Sequence, residues 1–89
     1  MSISGQITLT SANTVYQGTD LKGESFLLKA HPSNTGIVYL GNVAGTVTVN
    51  NGYPLSANEF MYIETPNLES LFFVSATAGQ KICWVRVEV

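Results

Sequence analysis

Turn residues interrupt this chain so often that the sequence leaves no room for a long helix. The longest segments without glycine or proline are two stretches of 12 residues, 6–17 and 67–78. Between the turns β-branched residues are frequent, and Val, Ile and Thr make up 23 of the 89 residues. From position 28 onward the centres of the predicted strands are about 9–13 residues apart, a spacing typical of small all-β domains. We therefore predict an all-β fold, either a small antiparallel β-sandwich or a jelly-roll-like barrel of about seven to eight strands.

Apolar patterning places the individual elements. Period-2 alternation and short apolar runs predict strands at residues 6–10, 26–31, 36–41, 46–50, 59–63, 71–74 and 81–89. Between two of these strands, residues 66–70 are expected to form one turn of helix or a plain turn. Most aromatic side chains lie inside the predicted strands, where we expect them to pack in the core.

The last predicted strand is apolar on two faces, so its orientation is a separate prediction. Side chains two residues apart share a face of a strand. One face carries Cys83, Val85, Val87 and Val89, and the other carries Ile82, Trp84, Arg86 and Glu88. The first face is uniformly apolar, whereas the second begins apolar and ends charged. We therefore assign the face of the valines to the core.

Length and charge bear on the organisation of the chain. With 89 residues it forms one domain, 1–89, in which residues 1–19 are either an N-terminal arm or an edge strand. Only 11% of the residues are charged, against about 25% in an average soluble domain. A surface that meets other protein surfaces tolerates little charge, although a neutral secreted module is an alternative. A domain this small usually needs a disulfide or a metal for stability, and this sequence offers neither. We therefore expect the chain to oligomerise.

Several functional classes are disfavoured by what the sequence contains. The four basic residues are scattered, which argues against nucleic acid as a partner. No apolar run approaches the roughly 20 residues of a membrane span, so no membrane contact is expected. The N-terminus shows no signal peptide, which fits synthesis in a cytoplasm.

The chain has few groups for catalysis or metal binding. His31 and Cys83 are the only soft metal ligands, and metal sites need three or four. We expect His31 to be a turn residue and Cys83 to be a buried, inert thiol. The acidic residues form no recognisable cleft pattern, so we predict no catalytic residue, no metal, no cofactor and no enzyme activity.

One loop offers a candidate contact site. Tyr53 follows the turn dipeptide Asn51-Gly52 and precedes Pro54, which predicts an exposed position on a loop. Exposed tyrosines are common contact residues at protein interfaces. We therefore predict an interface that includes Tyr16, Tyr53, Pro54 and Leu55, in which the Leu55 side chain can fold back under the loop.

Four segments of the chain have a familiar pattern: residues 9–14, 29–41, 51–59 and 67–76. Together they resemble small all-β virion proteins of tailed bacteriophages, such as capsid decoration (cement) proteins and head-fibre or neck components. The resemblance extends over about residues 9–85, and its motifs are turns and strand ends. The family has Gly before the acid in the pattern Pro-Leu-x-x-Gly-Glu, whereas this chain has Asn58, which also suits a turn.

The resemblance implies a non-enzymatic structural protein of the virion. Such a protein is made in the host cytoplasm, forms a homo-oligomer, expected to be a trimer, and binds the major capsid protein on the surface of the assembled capsid. The alternative is a carbohydrate- or host-surface-binding module displayed on the virion, as part of a head fibre or the tail. That alternative predicts an exposed aromatic platform surrounded by polar side chains.

Overall fold

The chain folds into two four-stranded antiparallel β-sheets. The computed structural model describes residues 4–41 and 47–87. The first sheet has the order β1-β8-β3-β6 and the second the order β2-β7-β4-β5, the strands being β1 (Ser4–Leu9), β2 (Tyr16–Gln17), β3 (Ser25–Ala30), β4 (Val38–Gly41), β5 (Tyr53–Leu55), β6 (Phe60–Glu64), β7 (Phe72–Ser75) and β8 (Gln80–Val87). The predicted all-β antiparallel sandwich is confirmed, with eight strands in the described residues.

The strand order is that of one long hairpin folded onto itself. β4 and β5 pair at the tip of the hairpin, and outward from it β3 pairs with β6, β2 with β7 and β1 with β8. Pairings of β3 with β8 and of β4 with β7 then join this ribbon into two sheets. This nested order defines a jelly roll. As a result, β1 and β6 lie at opposite edges of the first sheet.

Alternate side chains of both sheets form one core between them. The first sheet contributes Phe26, Leu28, Ala30, Ile82 and Trp84 to this core. The second sheet contributes Val38, Leu40, Leu55 and Phe73. Because successive side chains of a strand point to opposite faces of the sheet, Leu27 and Lys29 on β3 face away from this core.

The predicted orientation of β8 is wrong. Ile82 and Trp84 are buried at 0% and 6% exposure, whereas Cys83 and the valines that follow it are half-buried on the outward side. The pairing register with β3 determines which face of β8 is buried. Ile82 lies opposite Ala30 and Trp84 lies opposite Leu28, and Ala30 and Leu28 are both fully buried. Burying Ile and Trp also removes more apolar surface from water than burying Cys and Val.

The connection between β4 and β5 also differs from the prediction. The predicted strand 46–50 contains no strand in its described part. Asn51 Oδ1 accepts a hydrogen bond from the Thr48 amide at 2.7 Å, and the Gly52 amide donates to the Thr48 carbonyl at 2.9 Å. These bonds close a turn, and the strand forms afterwards at Tyr53–Leu55. β5 is an edge strand, where a proline can lack its ladder donor without penalty.

The helical turn expected at residues 66–70 is present as a 3₁₀ turn at Leu68–Ser70. Asn67 caps this turn, because its Oδ1 accepts from the Glu69 amide at 2.9 Å. The same oxygen accepts from the Leu21 amide at 3.0 Å. Asn67 therefore joins two connections that are distant in the sequence, one before β3 and one before β7.

Gln80 at the start of β8 supports a prediction about stability. Its side chain is buried at 4% exposure, and its Oε1 accepts from the amides of Thr35 and Gly36 at 2.8 and 2.9 Å. Gln80→Met leaves both amides without this acceptor and is expected to lower the free energy of unfolding by about 2–3 kcal/mol. Urea denaturation measures the change. The control Gln17→Met removes one exposed bond, from Nε2 to the Glu69 carbonyl, so a similar loss in the two variants would contradict this role of Gln80.

Candidate interaction surface

The outward side of the first sheet carries an apolar surface, which we name the outer patch. Phe60 and Tyr62 are 68% and 52% exposed, and the other members are half-buried. Contiguous apolar surface of this kind marks sites of interaction. The outer patch consists of six side chains from three neighbouring strands, namely Leu27 on β3, Phe60 and Tyr62 on β6, and Cys83, Val85 and Val87 on β8.

The pairing register makes the outer patch continuous. Side chains directly opposite each other on antiparallel strands have Cβ atoms about 5 Å apart. One row of such neighbours, Val85, Leu27 and Tyr62, crosses three strands, and in the next row the exposed Lys29 lies between Cys83 and Phe60. The expectation that the aromatic residues inside strands pack in the core is therefore wrong for Phe60 and Tyr62, which lie on the outward side of an edge strand.

Hydrogen bonds hold Tyr62 in place on the outer patch. Its hydroxyl donates to Ser25 Oγ at 2.7 Å, and Ser25 Oγ donates to the Val87 carbonyl at 3.2 Å. The chain of bonds extends from β6 across β3 to β8. An aromatic ring that is already fixed loses less conformational entropy when a partner covers it. Tyr62 is therefore suited to anchor a contact.

Charged side chains lie at the two ends of the outer patch. Lys29 and Lys81 lie near Cys83 at one end, and Glu64 lies at the other end, opposite Ser25. Burial raises the pKa of the Cys83 thiol, although the charges of Lys29 and Lys81 act in the opposite direction. The thiol is therefore protonated at neutral pH and is a poor nucleophile. Cys83 is half-buried on the outer patch, not in the core as predicted.

Part of the outer face of the second sheet is covered, in contrast to the outer patch. Val74 on β7 and Val47 in the β4–β5 connection are 3% and 5% exposed. A Cβ atom added at Gly52 would lie 2.6 Å from the Cβ of Tyr39 on β4, so Gly52 packs directly on the sheet. Within residues 4–41 and 47–87, the outer patch has no comparable cover. The described residues thus bury part of one outward face and leave the other uncovered.

The four residues predicted as an interface do not form one surface. Tyr16 lies on β2 at one edge of the second sheet, and Tyr53 and Pro54 lie on β5 at the opposite edge. Tyr53 is 56% exposed, as expected, but belongs to a strand instead of a loop. Leu55 is 2% exposed within the core and so offers no surface to a partner.

Hydrogen bonds attach Tyr16 to the β1–β2 connection. Its hydroxyl is 2.9 Å from Thr10 Oγ1 and accepts from the Ser11 amide at 2.9 Å. The bonds to Thr10 and Ser11 lower the pKa of the Tyr16 hydroxyl. These contacts give Tyr16 a structural role in fixing the connection.

Tyr53 borders an open cleft of about 200 Å³ between the edge strands β5 and β6. The rest of the lining is apolar and consists of Leu40, Gly41, Met61, Ile63 and Leu71. Such a lining can hold an apolar group, and apart from the Tyr53 hydroxyl it supplies no acid, base or nucleophile.

His31 has the local role expected for it. Its Nδ1 accepts from the Ser33 amide at 3.0 Å and lies 2.8 Å from Ser33 Oγ, within the turn that follows β3. Among the residues that the structure describes, no three or more His, Cys, Asp or Glu side chains are grouped so that they could bind a metal ion.

Comparisons of the chain with protein-family models, with curated proteins and with solved structures gave no match. In the described part of the chain, no helix has the length and apolar character that crossing a bilayer requires. The outer patch is therefore the feature of the molecule from which a function is best argued.

Proposed function

We propose that this chain is a structural protein of a bacteriophage virion, which oligomerises and binds the surface of the assembled capsid to stabilise it. The observation that carries the proposal is the outer patch, an uncovered apolar sheet face on a chain with only 11% charged residues. The resemblance of residues 9–85 to small virion proteins supports the same role. Jelly rolls also occur among viral capsid proteins, as well as among lectins.

The proposed mechanism is burial of the outer patch against other protein. Removal of apolar surface from water contributes about 25 cal/mol per Å², and stable interfaces bury about 1,200–2,000 Å² in total. A protein that binds only the assembled shell stabilises that state by mass action. This mechanism needs no reactive group, which agrees with the protonated Cys83 thiol and the turn-bound His31.

Co-sedimentation with empty expanded capsids of the phage that encodes the chain tests the proposal. The wild-type protein is expected to sediment with expanded capsids. Phe60→Ala on the outer patch is expected to weaken this binding by about tenfold or more. Ile37→Ala is the matched control, because Ile37 is also exposed, at 37%, but lies outside the outer patch.

Both variants are expected to melt at the wild-type temperature, because neither side chain is part of the core. Absence of wild-type binding to expanded capsids would contradict the proposal. Equal weakening by Phe60→Ala and Ile37→Ala would also contradict the role given to the outer patch.

The alternative, a carbohydrate- or host-surface-binding module on the virion, is favoured by one observation. Phe60 and Tyr62 lie two residues apart on the same face of β6, with side chains about 7 Å apart along the strand. Neighbouring exposed aromatic rings can form a platform for a sugar ring. Binding to a glycan array without binding to expanded capsids would support this alternative.

A further inference from the structure

We infer that the outer patch binds the outer patch of a second copy of this chain, through a twofold axis that runs across the strands. In this arrangement Lys29 of each copy lies beside Glu64 of the other, one strand away. Because it takes the outer patch as a protein-binding face, the pairing rests on the proposed function and supplies its oligomerisation step. The outer patch then binds a second copy, the dimer binds the capsid, and Phe60→Ala weakens capsid binding by weakening the dimer.

The charge pattern is the first argument for a second copy. Lys29 and Glu64 lie on neighbouring strands, and the register separates their rows by four residues, or about 13 Å along the strands. Lys81 lies one row beyond Lys29, further from Glu64, and adds a second positive charge at that end of the outer patch. One end of the outer patch is thus positive and the other negative, so the surface is complementary to itself when one copy is reversed.

The symmetry of two stacked sheets limits how that reversal occurs. In an isologous pair the twofold axis lies in the plane between the sheets. An axis parallel to the strands would place Lys29 over the positive end of the other copy. An axis across the strands reverses their direction and places Lys29 over the negative end, beside Glu64. Electrostatic complementarity favours the second arrangement.

The centre of the outer patch suits this axis. Midway between the rows of Lys29 and Glu64 lies the row of Val85, Leu27 and Tyr62. When the twofold axis passes through this row, the row of one copy packs against the same row of the other copy. The charged side chains then lie on either side of this apolar centre. Protein interfaces have the same organisation, with an apolar centre and a polar rim.

The size of the face is close to the lower limit for a stable dimer. Four strands about 4.8 Å apart and four rows about 6.8 Å apart give a face of roughly 20 Å by 20 Å. Phe60 and Tyr62 project from this face and add to its accessible area. A surface of this size is on the scale of the smallest stable interfaces, which bury about 600 Å² on each partner.

Charge reversal tests the pairing, with sedimentation velocity and light scattering at low salt as the measurements. The wild-type protein is expected to form a dimer with twice the 9.6 kDa mass of the chain. Lys29→Glu and Glu64→Lys are each expected to weaken the dimer by about tenfold or more. The double variant Lys29→Glu/Glu64→Lys is expected to restore it, because the pairs re-form with opposite polarity.

Lys22→Glu is the control for net charge, since Lys22 lies in the connection before β3 and not on the outer patch. Thermal melting of each variant shows that it is folded. A wild-type monomer at all concentrations, a trimer as the resemblance implies, or a double variant no better than the single ones would overturn the pairing.

The same proteins separate this inference from the proposed function. Capsid binding by a chain that never dimerises would overturn the pairing and leave the capsid-binding part of the proposed function standing. A dimer that responds to charge reversal as expected but has no affinity for capsids would overturn the proposed function and support the pairing.

Discussion

Leu28→Ala is expected to lower the free energy of unfolding by about 3–4 kcal/mol, whereas Leu27→Ala, the same substitution one residue earlier, lowers it by about 1 kcal/mol. Leu28 is fully buried between the sheets, opposite Trp84 on β8 and Met61 on β6. Truncating such a leucine loses apolar burial and leaves a cavity. Leu27 is half-buried on the outer patch, where truncation of the side chain leaves an opening to solvent.

Urea denaturation measures both changes, at protein concentrations low enough to keep the chain monomeric. Trp84 is the only tryptophan and is 6% exposed, so its fluorescence reports the loss of the core. The two leucines share a strand and a chemical change, and only the face differs. Equal losses of stability in the two variants would contradict the assignment of the inward and outward faces of β3.

Local sequence patterns predicted the elements whose boundaries depend on neighbouring residues. The 3₁₀ turn at Leu68–Ser70 follows from the residues that begin it, because Asn67 caps the turn through a bond to the amide of Glu69. β3 and β6 follow from short apolar runs bounded by turn residues. The all-β class could be predicted for the same reason, since frequent turns exclude long helices.

A side-chain hydrogen bond in one case and the strand register in the other decided the elements that periodicity did not predict. Alternating Thr and Val favour a strand before Asn51, but the Asn51 side chain closes a turn there with the Thr48 amide. On β8, both faces are apolar, so periodicity cannot choose between Trp84 and Val85 for the core. The choice depends on the register with β3, which places Trp84 opposite Leu28.

The outer patch could not be predicted for the same physical reason. Its members are distant in the sequence, and only the pairing of β3 with both β6 and β8 makes them neighbours. The sequence does contain one signal of the outer patch, which is that β8 has more apolar positions than one core can bury. A strand that is apolar on both faces predicts that a second surface is covered, either within the chain or by a partner.

Val85→Glu is expected to abolish self-association, with a loss in affinity of about a hundredfold or more. Val85 lies in the row through which the inferred twofold axis passes, opposite Leu27 and half-buried on the outward side. A glutamate there from each copy would place two like charges together in an apolar interface, where neither finds a partner. The fold is expected to persist, because the side chain of residue 85 points away from the core.

Sedimentation velocity measures the association, and thermal melting measures the stability of the monomer. Val49→Glu is the matched control, since Val49 is also half-buried but lies in the β4–β5 connection, away from the outer patch. We expect Val49→Glu to keep the wild-type association constant. A Val85→Glu protein that is folded and still associates as the wild type does would show that copies of this chain meet through another surface, such as the exposed edge of β5 or β6.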